Sequence, residues 1–260
     1  MLKIITTLTL ILVGLVAKSQ EIETRKVSDF SRVEVQNGIE LIYTESDQLS
    51  LQVELPDNTV TGNLVTEVKG KTLKIYLTKG NDYYKSKGLI KVYLSNKNVA
   101  FFKASLYSKI TVTNQISTLN STVVLNSKSV FTGNIKNEGK TKIVGERGTV
   151  FNGKIETQIL KGNFKDNAKA NITGMAIKAN ILTNDNALCN AKNFVARSLS
   201  ITANGNAMVL IHSDSKIAVN VADKAKVTYT GFPEIIHLNE EAESLYKLKS
   251  NQALSLNYLN

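Results

Sequence analysis

Between residues 100 and 230, one short pattern recurs seven times at intervals of 18 to 21 residues. In each repeat, an apolar side chain stands two places after a small residue. A fixed period near 20 residues is typical of a solenoid, in which each repeat buries its apolar face on its neighbours. The seven pairs are Ser108–Ile110, Ser129–Phe131, Gly148–Val150, Ala168–Ala170, Ala187–Cys189, Ala207–Val209 and Ala225–Val227.

Two further columns, mostly apolar, precede each small residue by four and six places. The period-two alternation within each repeat indicates strands with one buried face. The sequence therefore predicts an all-β fold, a parallel β-helix (β-solenoid) of about seven coils over residues 99–233. The column four places before is Ala104, Leu125, Val144, Phe164, Thr183, Ala203 and Val221, and the column six places before is Phe102, Val123, Lys142, Gly162, Ile181, Ile201 and Val219.

Residues 20–98 are predicted to form an N-terminal β-rich region continuous with the solenoid. Asn37-Gly38 is a tight-turn signal between two alternating segments. Lys69-Gly70 joins another pair of predicted strands, residues 65–68 and 73–77. After residue 233 the pattern breaks, with a short helix predicted over residues 240–245. We expect residues 234–260 to cap the exposed end of the solenoid.

The first 19 residues have the pattern of a secretory signal peptide. Lys3 precedes an uncharged, mostly apolar run, and Ala17 and Ser19 are the small residues expected before a cut at Gln20. No later segment is apolar for long enough to cross a bilayer. The sequence thus predicts an exported protein, periplasmic, cell-surface or secreted, without a transmembrane segment in the mature chain.

The chain is basic, with a formal net charge of +10. Removal of Lys3 and Lys18 with the signal peptide lowers this charge to +8, since 10 − 2 = 8. Such a charge favours anionic partners, but the lysines alternate with apolar residues, which favours a solvated outer face. Export disfavours nucleic acid as a partner. We expect a monomer or a weak homo-oligomer, because a solenoid end resembles its own continuation.

The mature chain resembles the head GIN domain family of autotransporter adhesins from Bacteroidetes-type bacteria. The segments that carry the resemblance are residues 30–39 (FSRVEVQNGI), residues 63–75 and the closing residues 226–233 (KVTYTGFP). In this chain the asparagine precedes the glycine, and Asp-Asn-Ala and Gly-Asn-Ala replace the family's Ser-Gly-Ala or Gly-Ser-Gly turns. The resemblance covers roughly residues 27–235 and implies a pectin-lyase-like β-solenoid with a role in cell adhesion.

The turns between the predicted strands carry the main candidate site. In the repeat alignment Glu146, Asp166 and Asp185 stack on consecutive coils, beside a ladder of Asn167, Asn186 and Asn206. Carboxylate and amide oxygens are suitable ligands for Ca²⁺ or for sugar hydroxyls, and paired carboxylates can cleave polysaccharides. Tight turns also require Asp, Asn and Gly, so a structural role explains the same residues.

A second candidate is the polar segment from Lys79 to Gly88, which contains Tyr83 and Tyr84. Exposed aromatic rings beside lysines suit contact with a sugar or a protein. The sequence contains no catalytic motif of a hydrolase elbow, a zinc protease or a phosphate loop. We therefore predict a non-enzymatic, adhesin-like protein that presents a ladder face to a glycan or an envelope or surface protein. The alternatives are a pectin-lyase-like carbohydrate enzyme and a purely structural envelope module.

Overall fold

The computed structural model describes residues 21–55, 63–78, 90–238 and 245–247 of the 260-residue chain. The predicted signal peptide and the Tyr83-Tyr84 segment lie outside these residues. Throughout the described part, the regular elements are β-strands, and most of them stack in parallel. The predicted all-β class and parallel β-solenoid are confirmed. From the first small residue of the repeat to the seventh, the chain makes about six turns, close to the expected count of about seven coils.

The strands form two ladders, one on each broad side of the solenoid. Along the axis, the first ladder contains β5 (Leu64–Lys69), β6 (Thr72–Leu77), β2 (Arg32–Val35), β8 (Phe101–Ala104), β10 (Ser121–Asn126), β12 (Lys140–Glu146), the second halves of β13 (Val150–Phe164), β14 (Lys169–Thr183) and β15 (Leu188–Ala203), then β17 (Lys216–Val221) and β19 (Glu234–Leu238).

The second ladder faces the first across the core. Its order is β1 (Glu21–Thr24), β4 (Ser50–Leu55), β7 (Lys91–Asn96), β3 (Glu40–Glu45), β9 (Lys109–Ile116), β11 (Val130–Lys136), the first halves of β13, β14 and β15, then β16 (Met208–His212), β18 (Lys226–Thr230) and β20 (Leu245–Lys247).

Each coil therefore has two corners. The first corner is the tight turn that leads from the first ladder to the second, and the second corner leads back. At the second corner, β13, β14 and β15 continue without a break for 15, 15 and 16 residues. These long strands join the two ladders into one continuous β-structure.

The third repeat of the sequence alignment is wrong by one residue. Phe151 pairs with Phe131 and with Ala170, so the small residue of this coil is Thr149 and not Gly148. On the first ladder Gly145 and Ile143, not Val144 and Lys142, occupy the inward columns. Ile143 is fully buried and Lys142 is exposed, because an ammonium group is far costlier to bury than an isoleucine side chain.

The small-residue column is buried in every coil. The seven residues are each at most 1% exposed, which lets the two ladders approach each other beside the first corner. Cys189 lies between Ala170 and Val209, as expected, and burial raises the pKa of its thiol to about 12. The column, with the third repeat corrected, is Ser108, Ser129, Thr149, Ala168, Ala187, Ala207 and Ala225.

Aromatic side chains fill the wider part of the core. Tyr43 and Phe102 meet edge to face with ring centroids 5.0 Å apart, and Phe102 meets Phe131 in the same way at 6.2 Å. Phe131 and Phe151, register partners on adjacent coils, stack at 5.4 Å with an interplanar angle of 2°. Such pairs stabilise a core by about 0.5–1.5 kcal/mol beyond their buried area.

The N-terminal strands enter the stack out of chain order. β2 lies between β6 and β8, and β3 lies between β7 and β9, so the first coil of the sequence is the second coil of the solenoid. Asn37-Gly38 is a first corner joining the two ladders, and not the tip of a hairpin between β2 and β3. The predicted pair around Lys69-Gly70 is confirmed as the antiparallel pair β5–β6.

Antiparallel strands cover this end of the solenoid. β5 pairs with β6, β4 pairs with β7, and β1 pairs with β4. At the opposite end, β19 and β20 continue both ladders in parallel, with Leu245 in a strand. The capping role of residues 234–260 stays a prediction, and residues 239–244 and 248–260 lie outside the described residues.

Candidate functional site

The first corner is a tight turn whose residues have a left-handed backbone. Asp166 and Asn167 have φ of 53° and 64°. The turns of the two preceding coils, Ser127-Lys128 and Arg147-Gly148, have the same left-handed conformation at both residues. Two successive positive φ values are typical of a type I′ turn, in which Asn, Asp and Gly are favoured. The next three turns have only one residue each with a positive φ, which is 59° at Asp185, 68° at Gly205 and 61° at Asp223.

Backbone hydrogen bonds run from coil to coil through these turns. The N–H of Tyr107 donates to the carbonyl of Ser127 at 2.9 Å, and Lys128 donates to Arg147 at 2.9 Å. Gly148 then donates to Asp166 at 2.8 Å. The left-handed conformation thus aligns peptide groups along the axis, and the turn residues have a structural role independent of any ligand.

The predicted stack of Glu146, Asp166 and Asp185 is wrong in its first member. Glu146 is the register partner of Asn126 at the end of β12, one place before the left-handed pair Arg147-Gly148. Asp166 and Asp185 occupy the same turn position on adjacent coils. The cause is the one-residue alignment error in the third repeat, which placed Glu146 in the column that Arg147 occupies.

Glu146 is surrounded by hydrogen-bond donors and cations. The Nδ2 of Asn126 donates to its Oε1 at 2.8 Å, and the Nζ of Lys165 lies 3.0 Å from its Oε2. An Nη of Arg147 lies 4.0 Å from its Oε1. The charge of this carboxylate is therefore compensated within the protein.

The asparagine ladder is present in part. The Nδ2 of Asn206 donates to the Oδ1 of Asn186 at 3.0 Å, and both side chains are exposed. A second hydrogen bond between side-chain amides, which the alignment did not predict, runs from the Nδ2 of Asn204 to the Oδ1 of Asn184 at 2.9 Å. Asn167 lies at the equivalent turn position one coil before Asn186. These amides extend the axial hydrogen bonding into the side chains.

The acidic groups of the turns are dispersed. Asp223 accepts a hydrogen bond from the backbone N–H of Gly205 at 2.9 Å. Within the described residues, no three His, Cys, Asp or Glu side chains come close enough together to hold a metal ion. In the same residues, no helix has the length and hydropathy needed to cross a membrane. Tyr83 and Tyr84 cannot be placed relative to the turns, since they lie outside the described residues.

The second corner contains a polar cluster that the sequence did not reveal. The Nδ2 of buried Asn137 donates to the Oγ1 of Thr141 at 2.8 Å and to the Oγ of Ser121 at 3.3 Å. Thr157, from the next coil, donates to the Oδ1 of Asn137. The cluster joins three coils and satisfies the polar groups where the chain turns back.

The outward side of the first ladder carries lysines on three consecutive coils. Lys142 on β12 is the register partner of Lys161 on β13, and both are exposed. Lys140 lies two residues before Lys142, and Lys178 lies on β14. We call the outward surface of β12 and of the second halves of β13, β14 and β15 the lysine face. It comprises Lys140, Lys142, Lys161, Lys178, Asn163, Asn180, Leu182, Ser200 and Thr202, together with the outward aliphatic residues between them.

Sequence reasoning missed the lysine face for a specific reason. The alignment error assigned Lys142 to an inward column, which concealed its position beside Lys161. A signal was available, because a lysine in an otherwise apolar column is energetically unfavourable. Moving the third repeat by one residue brings the two lysines to the same outward position.

The strand order and the corners define the chain as a parallel β-solenoid with left-handed turn residues at one edge. The family model of the "Putative auto-transporter adhesin, head GIN domain" matches residues 29–233. The chain belongs to this family, as the resemblance over residues 27–235 predicted. A comparison with curated proteins finds no significant match.

Solved structures of low sequence identity share the fold. A "putative adhesin" from Parabacteroides merdae ATCC 43184 superposes with a TM-score of 0.76 at 13% identity, covering 90% of this chain and 98% of that chain. A "putative lipid binding protein" from Parabacteroides distasonis ATCC 8503 gives 0.69 at 19% identity, with coverages of 90% and 98%. A "putative adhesin" from Bacteroides fragilis NCTC 9343 gives 0.60 at 19% identity, with coverages of 89% and 94%.

Proposed function

We propose that this chain is an exported, non-enzymatic binding protein that attaches to a glycan or protein through a side of its solenoid. The observation that carries the proposal is the register of the two ladders, which repeats side chains along the axis on open, outward surfaces. Membership of an adhesin family supports the same class of function. A repeating surface suits a repeating partner, because equivalent contacts can form on successive coils.

The state of the predicted turn carboxylates supports a scaffold more than an enzyme. Glu146 is compensated by Lys165, and Asp223 is bound to a backbone N–H. Asp166 and Asp185 lie at left-handed turn positions, where their residue type has a conformational explanation. We keep these two residues, with Asn167, Asn186 and Asn206, as a candidate edge for calcium or sugar contacts.

The test is binding of the mature protein to a glycan array and to isolated cell-envelope material, compared with heat-unfolded protein. The proposal requires saturable binding that is lost on unfolding. Calcium titration of the same preparations examines the turn edge. Incubation with acidic and neutral polysaccharides, beside an Asp166→Ala/Asp185→Ala variant, examines catalysis. Turnover by the wild type that the variant lacks would refute the non-enzymatic assignment.

A lipid surface is a second candidate partner. Met175 and Val195 are register partners with exposed fractions of 60% and 54%, and Ile177 is 53% exposed at the adjacent second corner. Arg197 and Lys178 flank these apolar side chains. One structural relative bears the name of a lipid-binding protein. Flotation with anionic and neutral liposomes tests this candidate, and a Met175→Ser/Val195→Ser variant must then lose the bound fraction.

Export is proposed from the first 19 residues. Mass spectrometry of the protein recovered from its native host should give a chain that begins at Gln20. Recovery of the intact N-terminus from every cell fraction would contradict this expectation.

A further inference from the structure

The lysine face carries positive charges without compensating carboxylates. Lys142 and Lys161 are direct register partners, about 4.8 Å apart in the stacking direction. Like charges placed opposite each other on neighbouring strands destabilise a sheet. Among the described residues, Lys140, Lys142, Lys161 and Lys178 form no ion pair or side-chain hydrogen bond.

At several other places a lysine is compensated by its register partner on the neighbouring coil. Lys109 lies 2.9 Å from its register partner Glu40, and Lys136 lies 3.6 Å from its register partner Glu156. Lys103 and Glu34 form a third pair of this kind, at 3.7 Å. At Lys142–Lys161, by contrast, the register partner of a lysine is a second lysine.

The carboxylates nearest in sequence lie at the ends of β12. Glu146, at the first corner, is already engaged by Lys165. Glu138 precedes the strand at the second corner and is exposed. The four ammonium groups thus create a positive surface that raises the local concentration of anions.

Beside the lysines, the lysine face contains a shallow hollow of about 390 Å³. Lys142 and Lys161 border it, and the amides of Asn163 and Asn180 contribute to its lining. The hydroxyls of Ser200 and Thr202 continue the polar lining on the next coil. The amide of Asn180 and the hydroxyls of Ser200 and Thr202 can donate to and accept from sugar hydroxyl groups. Asn163, whose Oδ1 is buried, can offer only its Nδ2 as a donor.

We propose that the lysine face binds a linear polysaccharide whose repeating units carry carboxylates. The polymer lies along the axis, with its carboxylates at Lys142 and Lys161 and its hydroxyls at Asn163 and Asn180. Lys140 and Lys178 hold further carboxylates on the adjoining row. This inference rests on the proposed function and adds the binding face and the chemistry of the partner.

The side chains favour a polyuronate over other polyanions. Lysine is a compact charge without the fork with which arginine binds phosphate in two contacts, so the lysine face does not select phosphate. The outward positions of β12 and of the second halves of β13, β14 and β15 carry no aromatic ring for base stacking, which disfavours single-stranded nucleic acid.

The experiment is titration of the mature protein with polygalacturonate, and with its fully methyl-esterified form as the uncharged control. A Lys142→Gln/Lys161→Gln variant should bind polygalacturonate about tenfold more weakly, since it removes two exposed ion pairs with the polymer. The variant should keep the wild-type melting temperature or exceed it, because it removes a repulsion between coils.

The matched control is Lys224→Gln/Lys226→Gln. These two lysines are exposed, are without an ion pair among the described residues, and lie at the turn before β18 and on the second ladder. The control removes the same charge and should bind like the wild type. Equal weakening in both variants, equal binding of the methyl ester, or tighter binding of anionic liposomes or single-stranded DNA overturns the inference.

The two proposals fail in different ways. Binding to neutral glycans or envelope material without affinity for polygalacturonate overturns the inference about the lysine face alone. Absence of binding to every probe overturns both proposals. Turnover of polygalacturonate overturns the non-enzymatic function, and the comparison of the two lysine variants still decides where the polymer binds.

Discussion

Gly174 shows how closely the coils approach each other at single residues. Its φ is 102°, and a Cβ added to it would lie 2.2 Å from the carbonyl oxygen of Ile155, its register partner on the preceding coil. Just before Gly174, the register between β14 and β15 shifts between Asn171 and Thr173, which indicates a β-bulge. Backbone contact and conformation both require glycine here.

Replacing Gly174 by alanine should lower the free energy of unfolding by about 3 kcal/mol, because the methyl group meets backbone atoms that cannot move aside. The control is Gly70→Ala. Gly70 also has a positive φ, 61°, but an added Cβ meets nothing within 4 Å, so the cost is about 1 kcal/mol. Denaturant unfolding measures both values, and equal losses would show that steric contact is not decisive.

At the residue scale, the sequence predicted the buried positions well except in one coil. The small-residue column and the position of Cys189 followed from the period alone. In the third coil, Gly148 satisfied the rule for a small residue better than Thr149 did. The alignment chose the small residue by its size alone. In the structure, the strand register places Thr149 in the column, and Gly148 lies in the turn with φ of 70°.

The first corner is the element in which conformation and possible ligand contact compete as explanations. Asp166 has φ of 53°, a conformation that costs most L-residues about 1–2 kcal/mol. Aspartate tolerates it better than alanine does, and glycine tolerates it best. The side chain of Asp166 can therefore be removed in two ways that differ in backbone cost.

Asp166→Ala should lower the free energy of unfolding by about 1 kcal/mol, and Asp166→Gly should stay within about 0.5 kcal/mol of the wild type. Thermal unfolding with and without calcium measures the difference. If calcium raises the melting temperature of the wild type and of neither variant, the carboxylate binds the ion and the conformational explanation is incomplete.

The pair β4–β7 contains a carboxylate that links stability to pH. Glu54 is buried, and hydrogen bonds from Tyr93, at 2.5 Å, and Lys91, at 3.0 Å, hold the pKa of its carboxyl below the usual range. A lowered pKa in the folded state means that the unfolded chain takes up this proton first. The stabilisation is present above the usual glutamate value of about 4.3 and is lost as the pH falls through the lower, folded value.

Glu54→Gln should therefore make the free energy of unfolding less dependent on pH below about 4.3. Urea unfolding between neutral and acidic pH measures the slope. Asp47→Asn is the control, because the pKa of Asp47 is also lowered, chiefly by its hydrogen bond from Lys97, but its side chain is 83% exposed. Solvent screening should leave the control slope close to that of the wild type.

At the element scale, strands and turns could be predicted because alternation and turn residues are local properties. The alternation of β3 and β6 and the turn at Lys69-Gly70 were predicted correctly. The turn at Asn37-Gly38 was also located, but the strands that pair with β2 and β3 were not predicted. A tight turn of this kind can join two strands of a hairpin or form a corner of a solenoid. The Asn137–Thr157 cluster combines residues 20 positions apart, and each of them alone is ordinary.

The whole molecule is organised around a first coil that later segments enclose. β2 is paired on both edges, by β6 and β8, and β3 is paired on both edges by β7 and β9. β1, by contrast, pairs only with β4 among the described strands and carries an Ile22 side chain that is 59% exposed. β2 and β3 are thus near the N-terminus in sequence but do not lie at the end of the solenoid.

Hydrogen exchange should reveal this arrangement. Amides of β2 and β3 should exchange as slowly as those of β10 and β12, because exchange from a central coil requires the stack to open. Amides of β1 should exchange much faster. Mass spectrometry of peptic fragments measures the rates, and fast exchange throughout residues 32–45 would contradict the enclosed position of this coil.

The enclosed coil is also the part of the architecture that the sequence did not predict. The repeats after residue 99 follow each other in space as in sequence, so a period sufficed to arrange them. Residues 32–45 lie between coils that come later in the chain, and no local pattern encodes that order. A family resemblance predicted the fold class but could not supply the register.

The same arrangement determines when the chain can begin to fold as it is made. Residues 32–45 have neighbours on both sides only after residues 72–77, 91–96 and 101–116 have been synthesised. The first 116 residues therefore form the smallest unit in which the initial coil is complete. From β10 onward each coil stacks on a coil that precedes it in the chain, whereas the initial coil depends on neighbours that follow it.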